Sequence, residues 1–480
     1  MGININEEQN TKIVATIGPA SSSYDTLIDL VKVGTDVFRL NFSHGSHDDH
    51  MDVIERIRKI NERHNTFVGI LADLQGPKLR VGKISNNAMA LKKGEEITFV
   101  NKPVLGTHDA VYMSYTQFAK DVKQGEKVLI DDGKIVLEVI DTNKKDQVRL
   151  RVLFGGILSS NKGVNLPDTK ISLPSLTEKD LVDLEFVLSV PEINWIALSF
   201  VRSAKDIKDL KKIIKKSKHS AKVIAKIEKP EAVSNIDAII DASDAIMIAR
   251  GDLGVEVPLE QVPVLQKKMI AKCIRNTKPV IVATQMMESM ITSPSPSRAE
   301  ATDVANAVMQ GTDAVMLSGE TSIGKHPVRV VEAMNSIINE AEKHMDVEDQ
   351  TPDPDAKSPT FLSDAVCYNA AKIAREVGAK AIVGMTTSGY TAFKVSSNRP
   401  PCKIFIFSDR KHNLATLSLV WGVRCMIYEK FTTTDETIAD TVKILKERNY
   451  VSKGDVMVNT GSMPIKKRYR TNMLKVTLVE

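Results

Sequence analysis

The chain has 480 residues, 42% of them hydrophobic and 26% charged, with a net charge of +5. That composition supplies a large core and excludes a disordered, collagen-like or disulfide-stapled protein. So small a charge on this length, with 5% aromatics, also argues against nucleic-acid binding through a basic field or stacked bases.

The amino-terminal stretch MGININEEQN has no apolar h-region, and no apolar run is long enough to cross a bilayer. A cytoplasmic protein without membrane association is expected. From Lys12 the text alternates short β-branched runs with amphipathic stretches: TKIVATIGP as a strand, YDTLIDLVKVG as a helix closed by Gly34, then VFRLNFSHG, DDHMDVIERIRKINERH and FVGILADLQG. Strands alternating with helices imply right-handed βαβ units and a parallel sheet.

The alternation stops at residue 77. Period-two runs (EEITFV, KVLID, KIVLEVI, QVRLRVLF) separated by KKGE, DDGK and TNKK turns predict a small antiparallel β domain over 77–172. Helix–strand alternation resumes at Thr177, with WIALSFV, KVIAKIE, AIMIARG, PVIVAT and AVMLSG as strands. Three strands before the insert and five after it fit a TIM (β/α)8 barrel formed by 1–76 and 173–346. An open doubly wound sheet would carry a glycine-rich phosphate turn after its first strand, and TIGPASSS has no GxGxxG.

Residues 347–359, acidic and proline-rich, read as a linker. Beyond them, 360–480 form a third α/β domain with strands AIVGMTT, KIFIFS, VRCMIYE, DVMVNTG and LKVTLVE. The four cysteines lack metal-site or disulfide spacing. The basic run AKDIKDLKKIIKKSKHSAK carries Ile207, Leu210, Ile213 and Ile214 at helical spacing, so its lysines form the solvated face of a barrel helix.

Barrel strands are apolar inside and catalytic at their carboxyl ends. Seven of these strands end in polar residues: Arg39, Asn41, Ser43 and His44; Asp73; Ser199 and Arg202; Lys226 and Glu228; Arg250 and Asp252; Thr284 and Gln285; Ser318 and Glu320. Carboxylates mixed with fixed cations around one rim describe a prepared pocket. Lys226 and Glu228, two apart, share a strand face; alone they read as a salt bridge. Asp252 from the next strand turns Glu228 into half of a carboxylate pair suited to Mg²⁺, with Lys226 placed to stabilise a moving phosphoryl group. Gly251 and Gly254 flank Asp252 at a strand-to-helix turn, where bare backbone N–H groups approach an anion. Arg39, Asn41 and Ser43 fall on one face at period two, a set suited to phosphate and a cation.

TKIVATIGPAS, RLNFSHG, ADLQGPKLR, KGVNLP, AKIEKPE, ARGDLGVE, ATQMMESM and MLSGETSIGKHP together resemble the pyruvate kinase family over essentially the whole chain. The resemblance implies a catalytic barrel, an inserted β-barrel lid after strand 3, a regulatory C-terminal domain and a homotetramer. It implies phosphoryl transfer from phosphoenolpyruvate to ADP, giving pyruvate and ATP as the last step of glycolysis. It assigns Glu228 and Asp252 to Mg²⁺, with Mn²⁺ as a substitute, Lys226 to the phosphoryl transition state and Arg39 to the phosphate. Gly251, Asp252 and Thr284 take the substrate carboxylate, with Thr284 also near the proton relay. Asn41, His44, Arg80 and Lys162 take the nucleotide, and Ser318 and Glu320 tune proton delivery.

Many members of that family hold K⁺ at positions matching Asn41, Ser43, Asp73 and the Leu74 carbonyl. A second group carries lysine at the position of Lys78, after leucine and glutamine; this chain, with Leu74, Gln75 and Lys78, is similar to that group. The Lys78 ammonium is expected to take the place of K⁺, making activity K⁺-independent. In the third domain, Thr386, Thr387, Ser388, Gly389 and Thr391 form a turn suited to phosphate, matching the family's effector loop for phosphorylated sugars or nucleotides; a plain helix cap is the competing reading. Lys466, Lys467, Arg468 and Arg470 stand where a second effector loop is expected. A Mg²⁺-dependent barrel lyase of 2-oxo acids and a phosphoenolpyruvate sensor without turnover are the alternative functions.

Overall fold

A computed structural model describes residues 8–345, 353–430, 432–464 and 469–480. Its first three strands are Lys12–Thr16 (β1), Val37–Asn41 (β2) and Gly69–Asp73 (β3), buried almost throughout as strands covered on both faces must be. The helix Tyr24–Lys32 ends as the sequence predicts, with Gly34 at φ 113°. The helix His47–His64 starts in a Ser46–Asp49 capping box and stops at Asn65 in the left-handed region.

The insert supplies Met89–Leu91 (β4), Glu96–Val100 (β5), Val111–Tyr112 (β6), Lys127–Ile130 (β7), Ile135–Thr142 (β8), Gln147–Phe154 (β9), Gly156–Leu158 (β10) and Val164–Asn165 (β11). Six of these form one sheet in the order β11-β7-β8-β9-β5-β6, and β10 pairs with β4. The pairing is antiparallel as expected except between β5 and β6, which run parallel. Bridges Arg80–Gly163 and Val81–Met113 link the two outer edges. The insert has its own core, with Phe99, Phe118 and Leu137 buried inside it.

Trp195–Leu198 (β12), Lys222–Ile227 (β13), Ala245–Ala249 (β14), Val280–Ala283 (β15) and Ala314–Leu317 (β16) complete a closed parallel barrel, β1-β16-β15-β14-β13-β12-β3-β2. The helix Ala204–Lys216 buries Ile207, Leu210 and Ile214 and turns its lysines outward. Ala381–Met385 (β17), Lys403–Ser408 (β18), Val423–Ile427 (β19), Val456–Gly461 (β20) and Met473–Leu478 (β21) form the third sheet. Its order is β19-β18-β17-β20-β21, parallel except for β21.

The third domain docks on the amino ends of the barrel strands. Trp195 Nε1 donates to Thr416 O at 3.1 Å, Lys12 Nζ to Val423 O at 2.8 Å and Arg399 Nη2 to Gly311 O at 2.8 Å. The opposite, carboxyl rim is left to the insert. Both of the insert's connections are tied down there: Gly76 N donates to Asp180 Oδ1 at 3.0 Å, while Thr177 N donates to the other Asp180 oxygen at 2.8 Å. The Arg202 guanidinium binds the carbonyls of Ile171 and Leu173 on the returning segment.

Candidate active site at the carboxyl rim

The barrel's inward-facing polar side chains interlock at this rim. Arg39, 9% exposed on β2, donates through Nε to Asp73 Oδ2 at 2.7 Å and through Nη1 to Thr16 Oγ1 at 2.9 Å. Lys226, on β13, has its ammonium 3.0 Å from Glu228 Oε1, 3.2 Å from Asp73 Oδ1 and 2.6 Å from Ser199 Oγ. The Ser199 hydroxyl in turn donates to the Leu74 carbonyl at 2.7 Å. Phe200, held at φ 55°, donates its N–H to the remaining Glu228 oxygen at 2.8 Å. A non-glycine residue in that region stores strain, which clusters at working sites.

Burial alone would drive the Lys226 ammonium towards neutrality, but Asp73 and Glu228 outweigh it and hold the group above the ordinary lysine value. Asp73 is likewise penalised by burial, and Lys226 and Arg39 overcome the penalty, keeping it below the usual carboxylate range. Glu228 goes the other way: burial raises it, Lys226 compensates only in part, and the neighbouring Asp252 raises it further. Three carboxylates therefore share two fixed cations. Asp73 Oδ1, within ion-pair distance of Lys226, has no hydrogen bond among the described residues. The Glu228–Asp252 pair has the hard oxygen donors and the surplus negative charge that suit a divalent ion. An ion held by two carboxylates would keep several ligand positions for water and substrate.

Asp252 lies in the first turn of the helix Arg250–Glu256. Gly251 N donates to Thr284 Oγ1 at 2.7 Å, and a Cβ on Gly251 would come within 3.2 Å of that oxygen. Thr284 and Gln285 sit at φ 70° and 54°. Arg250 secures this strained pair, donating to Thr284 O at 2.9 Å while bound to Asp303 at 2.7 Å. Glu320, 2% exposed, accepts from Ser318 N at 2.7 Å and Met287 N at 3.2 Å, which fixes the loop beyond Gln285. Arg250 was legible as a polar strand end, but its service to Thr284 depends on a bond between two strands that sequence spacing does not contain.

Other expected residues are spread between rim and insert. Strand β2 stops at Asn41, so Ser43 lies in the following turn rather than on the strand face; Ser43 N donates to Asn41 Oδ1 at 3.1 Å. His44 is exposed on the same turn. Arg80 and Lys162 belong to the insert, bound to Asn161 O and Asp131 Oδ1, each at 2.8 Å. Lys78 is exposed where the chain enters the insert, and the ammonium lying against Asp73 is that of Lys226. The left-handed turn at Gly76, closed by Lys78 N to Gly76 O at 2.9 Å, directs the chain outward. Lys78 still lines the cleft between insert and barrel together with Phe200 and Asp252.

In the third domain, Thr386, Thr387, Ser388 and Thr391 line a cavity of about 180 Å³ with Lys430 and Arg470. Gly389 takes φ 84° and donates its N–H to Thr386 Oγ1 at 2.9 Å. Thr391 is buried, its hydroxyl paired with Thr471 at 2.6 Å. Lys466, Lys467 and Arg468 lie outside the described residues.

Known proteins repeat this architecture. A model of the pyruvate kinase barrel domain matches residues 8–331, and one of the pyruvate kinase alpha/beta domain matches residues 364–477. A pyruvate kinase of Corynebacterium glutamicum is 44% identical over 98% of both chains. One from Geobacillus stearothermophilus is 42% identical over 98% of this chain and 80% of its own. The crystal structure of a pyruvate kinase from Cryptosporidium parvum superposes with a TM-score of 0.92 at 34% identity, covering 98% of this chain and 97% of that one. An insert after the third barrel strand, a rim where Asp73 and Glu228 hold Lys226, and matches along nearly the full length leave one assignment: the chain belongs to the pyruvate kinase family.

Proposed function

We propose that the cleft between the barrel rim and the insert moves the phosphoryl group of phosphoenolpyruvate to ADP, giving pyruvate and ATP. By its family the chain is a phosphotransferase of glycolysis. The observation that carries the site is Lys226, an ammonium kept charged among Asp73, Glu228 and Ser199 with little exposure to solvent. Phosphoryl transfer asks the protein for position and positive charge rather than covalent help. Arg39, aimed by Asp73 and Thr16, holds the phosphate, and Lys226 neutralises the charge that spreads over it in flight. The Gly251–Asp252 backbone and Thr284 hold the substrate carboxylate. The P–O bond to the enol oxygen breaks as one to an ADP oxygen forms, and the enolate takes a proton through the Thr284 side of the cleft, with Ser318 and Glu320 behind it. Asn41, His44, Arg80 and Lys162 contact the nucleotide. Glu228 and Asp252 hold Mg²⁺, or Mn²⁺ in its place, which supplies Lewis-acid charge neutralisation when bound.

K⁺ is not required, because Lys78 brings its own cation to the cleft from the hinge. The third-domain cavity takes a phosphorylated sugar or nucleotide as effector, and the working form is a homotetramer in the cytoplasm. The family match removes the support for a 2-oxo acid lyase, and Lys226 with a full rim of charged partners disfavours a sensor without turnover. One coupled assay tests the reading: ATP forms from phosphoenolpyruvate and ADP, stops with EDTA, and runs equally fast in KCl and tetramethylammonium chloride. Absence of ATP formation overturns the reaction; strong activation by K⁺ overturns the role given to Lys78.

A further inference from the structure

The insert reaches the rim through Asn165, the last residue of β11 and three positions beyond Lys162. Its side-chain amide donates to Glu256 Oε1 at 2.8 Å, and the same oxygen accepts from Lys229 Nζ at 2.5 Å. Lys229 and Glu256 are 6% and 4% exposed. Each member of this bridge is one short link from the site. Glu256 closes the helix that carries Gly251 and Asp252. Lys229 follows Glu228 directly, and its ammonium lies 5.8 Å from the centre of the Phe200 ring, whose own backbone N–H binds Glu228. That ring also backs the hinge: a Cβ on Gly76 would come within 2.8 Å of it.

A buried ion pair kept for stability alone is best made with every donor and acceptor used. Here the second Glu256 oxygen is buried with no hydrogen-bond partner among the described residues, while the first takes both Lys229 and a side chain from another domain. The pair spends its good acceptor on the insert.

We infer that Asn165 is a positioning residue: its hydrogen bond to the Lys229–Glu256 pair seats the insert on the barrel and sets where Lys162 meets the nucleotide. The inference rests on the reading of the cleft as the phosphoryl-transfer site. Lys162 travels with β11, so freeing that strand moves the nucleotide's partner and leaves Arg39 and Thr284, which belong to the barrel, where they are.

The test is Asn165→Ala in the full-length chain, with two readouts. Hydrogen exchange of residues 76–80 and 171–177, measured without substrates, is expected to accelerate. The KM for ADP is expected to rise about fivefold, the worth of one hydrogen bond, with the KM for phosphoenolpyruvate unchanged. Asn165→Asp keeps the size and sets a carboxylate against Glu256, so it shifts both readouts further in the same direction. Unchanged exchange overturns the inference, as does an equal rise in both KM values or faster exchange with neither KM moved. The exchange readout needs no turnover, so it is separate from failure of the phosphoryl-transfer reading, which would appear as wild-type protein forming no ATP.

Discussion

Lys12 and Lys226 are both buried lysines on barrel strands, one at each end of the barrel, and their surroundings push them in opposite directions. At the foot, burial lowers the Lys12 ammonium and nearby Arg424 lowers it further, more than Asp36 at 3.2 Å restores. At the rim, Asp73 and Glu228 outweigh burial and hold Lys226 charged. The foot spends its cations on docking: Lys12 on Val423 O, Arg399 on Gly311 O and on Asp313 at 3.0 Å. The rim keeps more negative charge than its fixed cations cancel. Buried charge at a barrel end is therefore no mark of chemistry by itself; what sets the rim apart is a surplus of negative charge, which the proposed substrate and divalent ion would balance.

Paired lysine-to-methionine variants give the widest separation between the two ends. Lys226→Met is expected to cut kcat by about 10²–10³-fold, the range for losing one preorganised electrostatic group. It also leaves Asp73 and Glu228 short of a cation, which costs about 3–5 kcal/mol of stability, measurable as a lower Tm. Lys12→Met removes an ammonium that its site already disfavours and leaves Asp36 with Ile13 N at 2.9 Å and Arg424 at 3.8 Å. Its kcat should equal wild type, with a smaller Tm change. Equal losses of activity in the two variants would break the comparison.

The cavity proposed to take an effector lies in the domain beyond the foot, so any signal from it would cross those docking contacts. Titrating sugar phosphates and nucleoside monophosphates at subsaturating phosphoenolpyruvate should find one that raises the rate. Thr386→Ala with Ser388→Ala should weaken that ligand about tenfold, the loss of one or two hydrogen bonds to a charged group. No response to any phosphorylated ligand would refute a regulatory role for this cavity.

The barrel was legible because its strands are short, largely apolar runs, seven of them ending in polar residues, and the insert because its period drops to two. The Lys226–Glu228 face was legible for the same reason: two residues apart on a strand is a geometric statement. Ser43 was misplaced because nothing in RLNFSHG marks where the ladder stops. The course of the chain into Lys78 was not legible, because Gly76 is held by its contact with Asp180, over a hundred residues away. The Asn165–Glu256–Lys229 bridge joins three segments whose adjacency exists only once the insert is seated. KGVNLP, AKIEKPE and ARGDLGVE each supply one partner, and no local pattern couples them.

The smallest expected effect belongs to the foot. His412, in the first turn of the third-domain helix Lys411–Leu417, reaches the barrel's Ser220 Oγ at 2.9 Å. Burial lowers its pKa below the ordinary 6.5, and His219 nearby adds to the shift against weaker pulls from the Pro191 backbone and Glu192. A histidine whose folded value is depressed is kept neutral in the native state, while the unfolded chain protonates first. Its contribution is thus complete above about pH 6.5 and is lost as the pH falls from there towards the folded value. Tm measured from pH 7.5 down to pH 5 should therefore fall in wild type, and His412→Gln should flatten part of that slope while leaving the rate at pH 7.5 unchanged. If the two slopes coincide, the foot owes none of its acid sensitivity to this residue, and the contrast between a charge-neutralised foot and a charge-hungry rim rests on the lysines alone.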